Sequence, residues 1–190
     1  MNNTLSCLWV QPILDDISIM CIKSWIKLEY HVVIYTYSDV DKFKCYNKIW
    51  SNMSITVLDA NTIMPKTYDS SLPLSDLFRF TLLSKQDKCV WLDTDIFLLK
   101  RLTDGNFVSS EHSNQTGAFK TINRKKTANI GVLSQTEKII DWDKIIDKCK
   151  KSNMKQNSNC NSYMKLYQKY VHENHWNLIS EPIAFCPISW

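Results

Sequence analysis

Glycine and proline are scarce in this sequence, with 3 Gly and 5 Pro among 190 residues. This scarcity excludes collagen-like repeats and flexible linkers. The chain also lacks the glycine-rich strings GxGxxG and GxxxxGKS/T, which hold phosphates at a helix N-terminus. No run approaches the roughly 18 consecutive apolar residues of a membrane-spanning helix, and the segment Met1 to Val10 lacks the basic start of a signal peptide. We therefore expect a cytoplasmic chain without a membrane span.

Disulfides, structural zinc and nucleic acid are not predicted either. The seven cysteines are an odd number and form no CxxC pair, which favours reduced, mostly buried thiols. The net charge of +4 is a mild excess that could attract a phosphate-bearing ligand. The densest basic stretch, Arg124-Lys125-Lys126, has only Phe119 nearby to stack on a base. Nucleic acid is therefore not an expected partner.

What the sequence does have is 44% hydrophobic residues, enough for one sizeable core. Strands are predicted at 5–10, 32–37, 55–58 and 89–92, alternating with helices at 13–28, 41–50 and 74–84. The second half is less regular, with strands at 96–99, 116–120, 129–133 and 176–179 and helices at 138–151 and 163–170. Strands that alternate with helices imply an α/β fold with a mainly parallel sheet, whose ligands bind beyond the carboxyl ends of the strands.

Two carboxylates stand where one buried strand ends. Asp93 and Asp95 follow the apolar run 89–92 and precede the apolar run 96–99. On an extended backbone such residues point the same way, so we expect the pair to share one cation. Mg²⁺ or Mn²⁺ binds one or two carboxylates and completes its shell with water and phosphate oxygens, which predicts a diphosphate ligand. Two further D-x-D strings, at 39–41 and 141–143, lack apolar flanks on both sides.

A second charged pair precedes this strand. Asp76 and Arg79 are i,i+3 neighbours near the start of a predicted helix. One interpretation is a surface ion pair with Ser75 as the helix cap. The other is that Arg79 binds phosphate or orients a metal-ligating carboxylate, while Asp76 holds sugar hydroxyls. The sequence leaves both interpretations open.

The order Ser75-Asp76-x-x-Arg79, then a strand, then Asp93-Thr94-Asp95 resembles the DXD-motif nucleotide-sugar glycosyltransferases of the GT-A fold. The likeness is to the group of fungal mannosyltransferase and animal α-1,4-galactosyltransferase-like enzymes, some of which large viruses encode. Asn129-Ile130-Gly131 is similar to the sugar-side segment of that family. Phe185-Cys186-Pro187-Ile188 is similar to its Phe-Tyr-Pro-Ile closing motif.

The resemblance implies a single GT-A-like, Rossmann-type domain over 1–190. Residues 1–100 would form the nucleotide-binding half and residues 101–190 the acceptor half. The expected activity is Mn²⁺- or Mg²⁺-dependent transfer of a sugar from a nucleotide diphosphate donor to an acceptor hydroxyl. A UDP-sugar is the expected donor, a glycan or glycoprotein the expected acceptor, and retention of configuration the expected outcome.

Individual roles also follow from the resemblance. Asp93 would contact ribose and metal, Asp95 would be the principal metal ligand, and Asp76 with Arg79 would organise the donor sugar, so these four residues are the predicted catalytic set. The predicted nucleotide-sugar contacts further include Trp9, Val10, Gln11, Tyr37, Thr94, Asn129 and Gly131. For Trp9 and Tyr37, plain core packing remains an alternative. His172 and His175 are candidates for a third metal ligand, and we expect His175 to be that ligand.

Two other functions remain open. A haloacid-dehalogenase-like phosphohydrolase also ends an apolar strand with D-x-D, but it usually carries the motif near the chain start and an acidic pair later. Here the adjacent acids Asp15-Asp16 come before the motif. The other alternative is a non-catalytic nucleotide-sugar-binding domain of a larger polypeptide. An inverting enzyme would need a base, for which Asp143 and Glu181 are the candidates.

Overall fold

A seven-stranded sheet with helices on both faces forms the centre of the fold, as a computed structural model describes it for residues 3–47, 54–66, 71–112, 126–153, 161–180 and 185–187. The strands are β1 Thr4–Trp9, β2 His31–Thr36, β3 Ile55–Asp59, β4 Cys89–Leu92, β5 Ile96–Leu98, β6 Phe107–His112, β7 Lys126–Gln135, β8 Asn177–Ser180 and β9 Phe185–Pro187. The helices are α1 Asp16–Lys27, α2 Val40–Tyr46, α3 Ser71–Lys85, α4 Trp142–Asn153 and α5 Asn161–Glu173.

The strand order is β3-β2-β1-β4-β7-β6-β8. Strands β1 to β4 are parallel to one another, β7 is antiparallel to both β4 and β6, and β8 is parallel to β6. It follows that β7 alone runs against the other six strands of this sheet. The predicted α/β fold with a mainly parallel sheet is therefore confirmed.

The apolar runs of the first half place buried strands in the middle of the sheet. All four residues of β4 are buried, as expected for a strand covered by helices on both faces. One core cluster lies under α1 and α2, and the other lies under α3, α4 and α5. In the second cluster, Phe80 stacks on Trp142 with ring centroids 5.8 Å apart, and Trp142 stacks on Tyr167 at 6.3 Å.

Helix α1 begins three residues later than the predicted start at 13. The structure begins the helix at Asp16, with Asp15 as the cap, and turns Ser18, Cys21, Ile22, Ser24 and Trp25 inward. Two apolar residues of the predicted range, Ile13 before the helix and Met20 within it, are 59% and 44% exposed. The small Ser24 fits this inward face because its hydroxyl donates to the Cys21 carbonyl and accepts from the Leu98 amide.

Two strands were not predicted, and one prediction lies outside the described residues. Strand β6 escaped detection because its buried residues include the polar Ser109 and Ser110. The Ser109 hydroxyl accepts from the Val132 amide at 3.2 Å, which satisfies it in the core. Strand β9 pairs with β5 in a separate two-stranded sheet. The expected strand at 116–120 falls outside the described ranges.

None of the helices in the described part of the chain combines the length and the apolar character needed to cross a membrane.

Candidate active site

The predicted acidic pair lies in the turn that connects β4 to β5, at the carboxyl edge of the sheet. The Asp93 amide donates to the Gly131 carbonyl at 2.8 Å, which extends the β4–β7 ladder by one residue. The Ile96 amide then donates back to the Asp93 carbonyl at 3.1 Å, so residues 93–96 form a turn. The expectation of an extended backbone through Asp95 is therefore wrong. The chain turns here because β5 leaves the main sheet to pair with β9.

The carboxylate of Asp93 is oriented by two donors on one oxygen. Arg79 Nη2 and Trp91 Nε1 each lie 2.8 Å from Asp93 Oδ1. Trp91 reaches this oxygen because it lies two residues earlier, on the same face of the strand end. No hydrogen bond from the described residues reaches Oδ2. A Cβ on Gly131 would lie 3.3 Å from Oδ2, so the absence of a side chain there leaves that oxygen room.

The environment of the pair favours neutralisation of its charge. Burial raises the pKa of Asp93 to about 6, against the opposing effects of Arg79 and the Trp91 hydrogen bond, and the carboxylates of Asp95 and Asp76 add to the rise. The pKa of Asp95 is also raised, mainly by burial, with Asp15 adding to the rise. A cation bound beside two neighbouring carboxylates with raised pKa values would stabilise their ionised forms, so the pair is a favourable cation site.

Arg79 is buried, and its guanidinium contacts groups of the protein itself. Its side chain is 3% exposed. Besides Asp93, it donates to the Ile130 carbonyl at 2.6 Å and to the Ser75 hydroxyl at 3.3 Å, and it lies 3.7 Å from Asp76 Oδ1. Its guanidinium also lies over the Trp91 ring, 5.1 Å from the centroid. Of the interpretations left open by the sequence, this geometry fits a residue that orients a carboxylate and not a surface ion pair or a direct phosphate contact.

The segment Asn129-Ile130-Gly131 lies beside the acidic pair, on β7. Asn129 Oδ1 accepts from the Gly131 amide at 2.7 Å, and this contact fixes the amide side chain at the edge of the site. The structure thus brings Asn129, Gly131, Arg79 and Asp93 together. Their predicted roles in sugar binding stay predictions.

Two tyrosines of α5 border the site and were missed. The Tyr163 hydroxyl donates to Asp76 Oδ2 at 2.6 Å, and the Tyr167 hydroxyl donates to the Asn129 carbonyl at 3.1 Å. The sequence offered one signal, since both residues lie on the apolar face of an amphipathic helix. That signal is also typical of plain core residues.

Trp9, Val10 and Gln11 lie at the end of β1 and Tyr37 directly follows β2, at the same edge as Asp93. Gln11 is exposed, and Trp9 and Val10 are partly buried. Trp9 Nε1 donates to the Ile13 carbonyl at 3.0 Å. Tyr37 donates to the Met64 carbonyl at 3.0 Å and burial raises its pKa to about 12, which favours the core-packing alternative. Thr94 lies in the turn of the acidic pair. Nucleotide contacts of these residues stay predictions.

His175 lies at the wrong edge of the sheet to join the acidic pair. It is exposed, has a left-handed φ of 53°, and precedes β8 by two residues. Because β8 and β6 run in the same direction as β4, residues before β8 lie at the amino edge, whereas Asp93 lies at the carboxyl edge. The assignment of His175 as a metal ligand is thereby corrected, and His172, in the last turn of α5, lies at the same end. Across the described ranges, no three His, Cys, Asp or Glu side chains form a group that could hold a metal ion.

A cavity of about 740 Å³ also lies at the amino edge, bordered by Thr4, Gln86, Lys88 and Glu137 among others. None of the predicted site residues lines it.

Comparison with known proteins places the fold. No family model and no curated protein matches the sequence. Among solved structures, the PaToxG glycosyltransferase is similar over 91% of this chain and 69% of its own, with a TM-score of 0.62 at 12% identity. The galactosyltransferase LgtC, solved with donor and acceptor sugar analogues, is similar over 88% of this chain and 70% of its own, with a TM-score of 0.55 at 13% identity.

The glycosyltransferase GlyE of Streptococcus pneumoniae is similar over 93% of this chain but 44% of its own, with a TM-score of 0.53 at 15% identity. All three likenesses are to glycosyltransferases. The chain therefore has a GT-A-like glycosyltransferase fold.

Proposed function

We propose that this chain is a metal-dependent glycosyltransferase that moves a sugar from a nucleotide diphosphate donor, a UDP-sugar, to an acceptor hydroxyl of a glycan or glycoprotein, with retention. The observation that carries the proposal is the oriented carboxylate of Asp93, with Asp95 two residues away, at the carboxyl edge of the central strand β4. The similarity of the fold to glycosyltransferases supports it.

Asp93 and Asp95 suit Mn²⁺ or Mg²⁺. Carboxylate oxygens are ligands that these hard cations prefer, and one or two of them suffice when substrate phosphates and waters complete the shell. Burial raises the pKa of both acids, and a bound cation would stabilise their ionised forms. When bound, the cation supplies electrostatic stabilisation for the leaving diphosphate.

The chain's own residues position the donor in this proposal. Arg79 and Trp91 hold Asp93 in one rotamer, so that Oδ2 is presented while Oδ1 stays occupied. Asp76 keeps 20% of its side chain exposed and offers acceptor oxygens to a sugar hydroxyl. Holding these groups in place before the donor binds lowers the entropy that binding must remove.

The decisive experiment measures binding of UDP, UDP-glucose and UDP-galactose by calorimetry, with and without Mn²⁺. We expect binding to need Mn²⁺, and Asp95→Ala to weaken it by roughly tenfold or more. Asp141→Ala is the matched control, because it removes an acid from another D-x-D string that is exposed. Metal-independent binding that Asp95→Ala leaves unchanged would contradict the proposal.

One observation favours a second candidate, a non-catalytic nucleotide-sugar-binding domain. Within the part of the chain that the structure describes, the acidic pair has no third protein ligand. Turnover separates the two candidates: an enzyme releases UDP from the UDP-sugar in the presence of Mn²⁺, whereas a binding domain holds the intact donor. Release of phosphate from a phosphomonoester, without binding of UDP, would instead support the phosphohydrolase alternative.

A further inference from the structure

Tyr163 connects helix α5 to a site carboxylate on α3. Its hydroxyl donates to Asp76 Oδ2 at 2.6 Å across 87 residues of sequence. Tyr163 is 4% exposed, and its ring packs edge-on against Phe80 with centroids 6.1 Å apart. A hydrogen bond to an ionised carboxylate is short and strong, so this contact fixes the position of one Asp76 oxygen.

Asp76 is held from both sides yet remains accessible. Its Oδ1 faces Arg79 Nη2 at 3.7 Å, while its Oδ2 accepts from Tyr163. An ionised carboxylate has about four acceptor positions, so these contacts leave others for a ligand hydroxyl. Because both oxygens are constrained, the direction in which the remaining lone pairs point is set by the protein.

A purely structural role for Tyr163 is the competing explanation. Tyr167 already anchors the same helix, since it is fully buried, stacks with Trp142 and donates to the Asn129 backbone carbonyl. The hydroxyl of Tyr163 instead donates to a carboxylate that is partly exposed at the site. A residue that only anchored α5 would not need to donate to a site carboxylate.

We propose that Tyr163 is a positioning residue that sets selectivity for the sugar part of the donor, by fixing the Asp76 carboxylate that accepts a sugar hydroxyl. This inference rests on the proposed function, because it assumes a nucleotide-sugar donor. It assigns a role to α5, in the acceptor half, in recognition of the donor.

The test compares Tyr163→Phe with Tyr170→Phe, using UDP, UDP-glucose and UDP-galactose in the presence of Mn²⁺. Both variants lose one hydroxyl on the same helix, but Tyr170 makes no hydrogen bond to a site residue among those described. We expect Tyr163→Phe to weaken binding of the better UDP-sugar by roughly tenfold and to reduce its preference over the other sugar. Binding of UDP itself should match that of Tyr170→Phe, although the thermal unfolding midpoint of Tyr163→Phe should be lower because a buried hydrogen bond is lost.

A double-mutant cycle shows whether Tyr163 acts through Asp76. In an Asp76→Asn background, Tyr163→Phe should change UDP-sugar binding by less than twofold, because the partner it positions is altered. Equal weakening of UDP and UDP-sugar binding by Tyr163→Phe, or unchanged sugar preference, would overturn the inference while leaving metal-dependent UDP binding intact. Failure of the wild-type protein to bind UDP with Mn²⁺ would instead reject the proposed function itself.

Discussion

Trp91 Nε1 donates to Asp93 Oδ1 at 2.8 Å, and this bond joins the end of the central strand β4 to the first residue of the turn that follows it. Trp91 is buried, so its ring packs in the core while its indole N–H donates to the site carboxylate. The same oxygen also accepts a hydrogen bond from Arg79. If Asp93 binds a metal ion, we therefore expect Oδ2 to be the ligand atom.

Trp91→Phe should weaken Mn²⁺ binding by roughly tenfold. The substitution keeps an aromatic ring in the core but removes the donor, so the Asp93 carboxylate loses part of its orientation and its pKa rises further. Measurement of Mn²⁺ affinity by electron paramagnetic resonance in the presence of UDP checks this. Trp142→Phe is the control, since its N–H goes to Gln135 at the amino edge. Equal Mn²⁺ affinity of the two variants would disprove the role of the indole.

Removal of the Arg79 guanidinium should destabilise the folded state. Arg79→Met removes the positive charge and one of the two donors at Asp93 Oδ1, and it removes the Arg79 donor to the Ile130 carbonyl, so we expect the free energy of unfolding to fall by about 3 kcal/mol. Lys144→Met breaks the exposed pair with Asp141 and should change stability little. Urea unfolding of both variants provides the comparison, and similar losses in the two would refute the buried role of Arg79.

The raised pKa of Asp93 predicts a pH-dependent stability of the metal-free protein. The folded-state pKa of about 6 lies above the ordinary value of 3.8, so between these pH values the folded state holds a proton that the unfolded state has released. Stability therefore falls as pH rises from about 4 to about 6, by about 2 kcal/mol after allowance for the partial exposure of the side chain.

Asp93→Asn isolates this effect because its side chain does not titrate. The difference in unfolding free energy between wild type and this variant, measured with EDTA from pH 4 to pH 8, should change over that range and then become constant. A difference that is independent of pH would show that Asp93 ionises normally.

Gly131→Ala should impair the site more than the fold. The added Cβ would lie 3.2 Å from Asn129 Oδ1 and 3.3 Å from Asp93 Oδ2, so both groups must shift by a few tenths of an ångström. We expect Mn²⁺-dependent UDP binding to weaken by roughly tenfold. Ser134→Ala, on the same strand toward the amino edge, is the control and should lower stability without a change in UDP affinity. Unchanged UDP binding by Gly131→Ala would indicate that Oδ2 is not a ligand.

The sequence predicted the elements whose burial pattern is unambiguous. The apolar run at 89–92 and its acidic continuation gave both the central strand β4 and the location of the candidate site. Strand β6 was missed because Ser109 is satisfied in the core by a partner on β7, a contact between residues far apart in sequence. The spacing of apolar residues indicates which face of a helix or strand is buried. It does not indicate which distant residue supplies a hydrogen-bond partner to a buried polar side chain.

The same limit explains the outcome for the site. Asp76, Arg79 and Asp93 were found because they are close together in the sequence and carry recognisable chemistry. Tyr163 and His175 depended on the path of α5, which begins beside Asp76 and ends at the opposite edge of the sheet. Residue spacing alone could not tell which end of that helix approaches the acids.

The pairing of β5 with β9 has a consequence for synthesis of the protein. Strand β5 leaves the ribosome directly after the acidic turn, but its partner is translated about 90 residues later. While those residues are being added, the nascent chain carries β5 without its paired strand, and contacts with α1, from Trp25 to the Ile96 carbonyl and from the Leu98 amide to Ser24, are available to hold it. A messenger that stops before β9 would yield a chain with the main sheet encoded in full and β5 left without its partner.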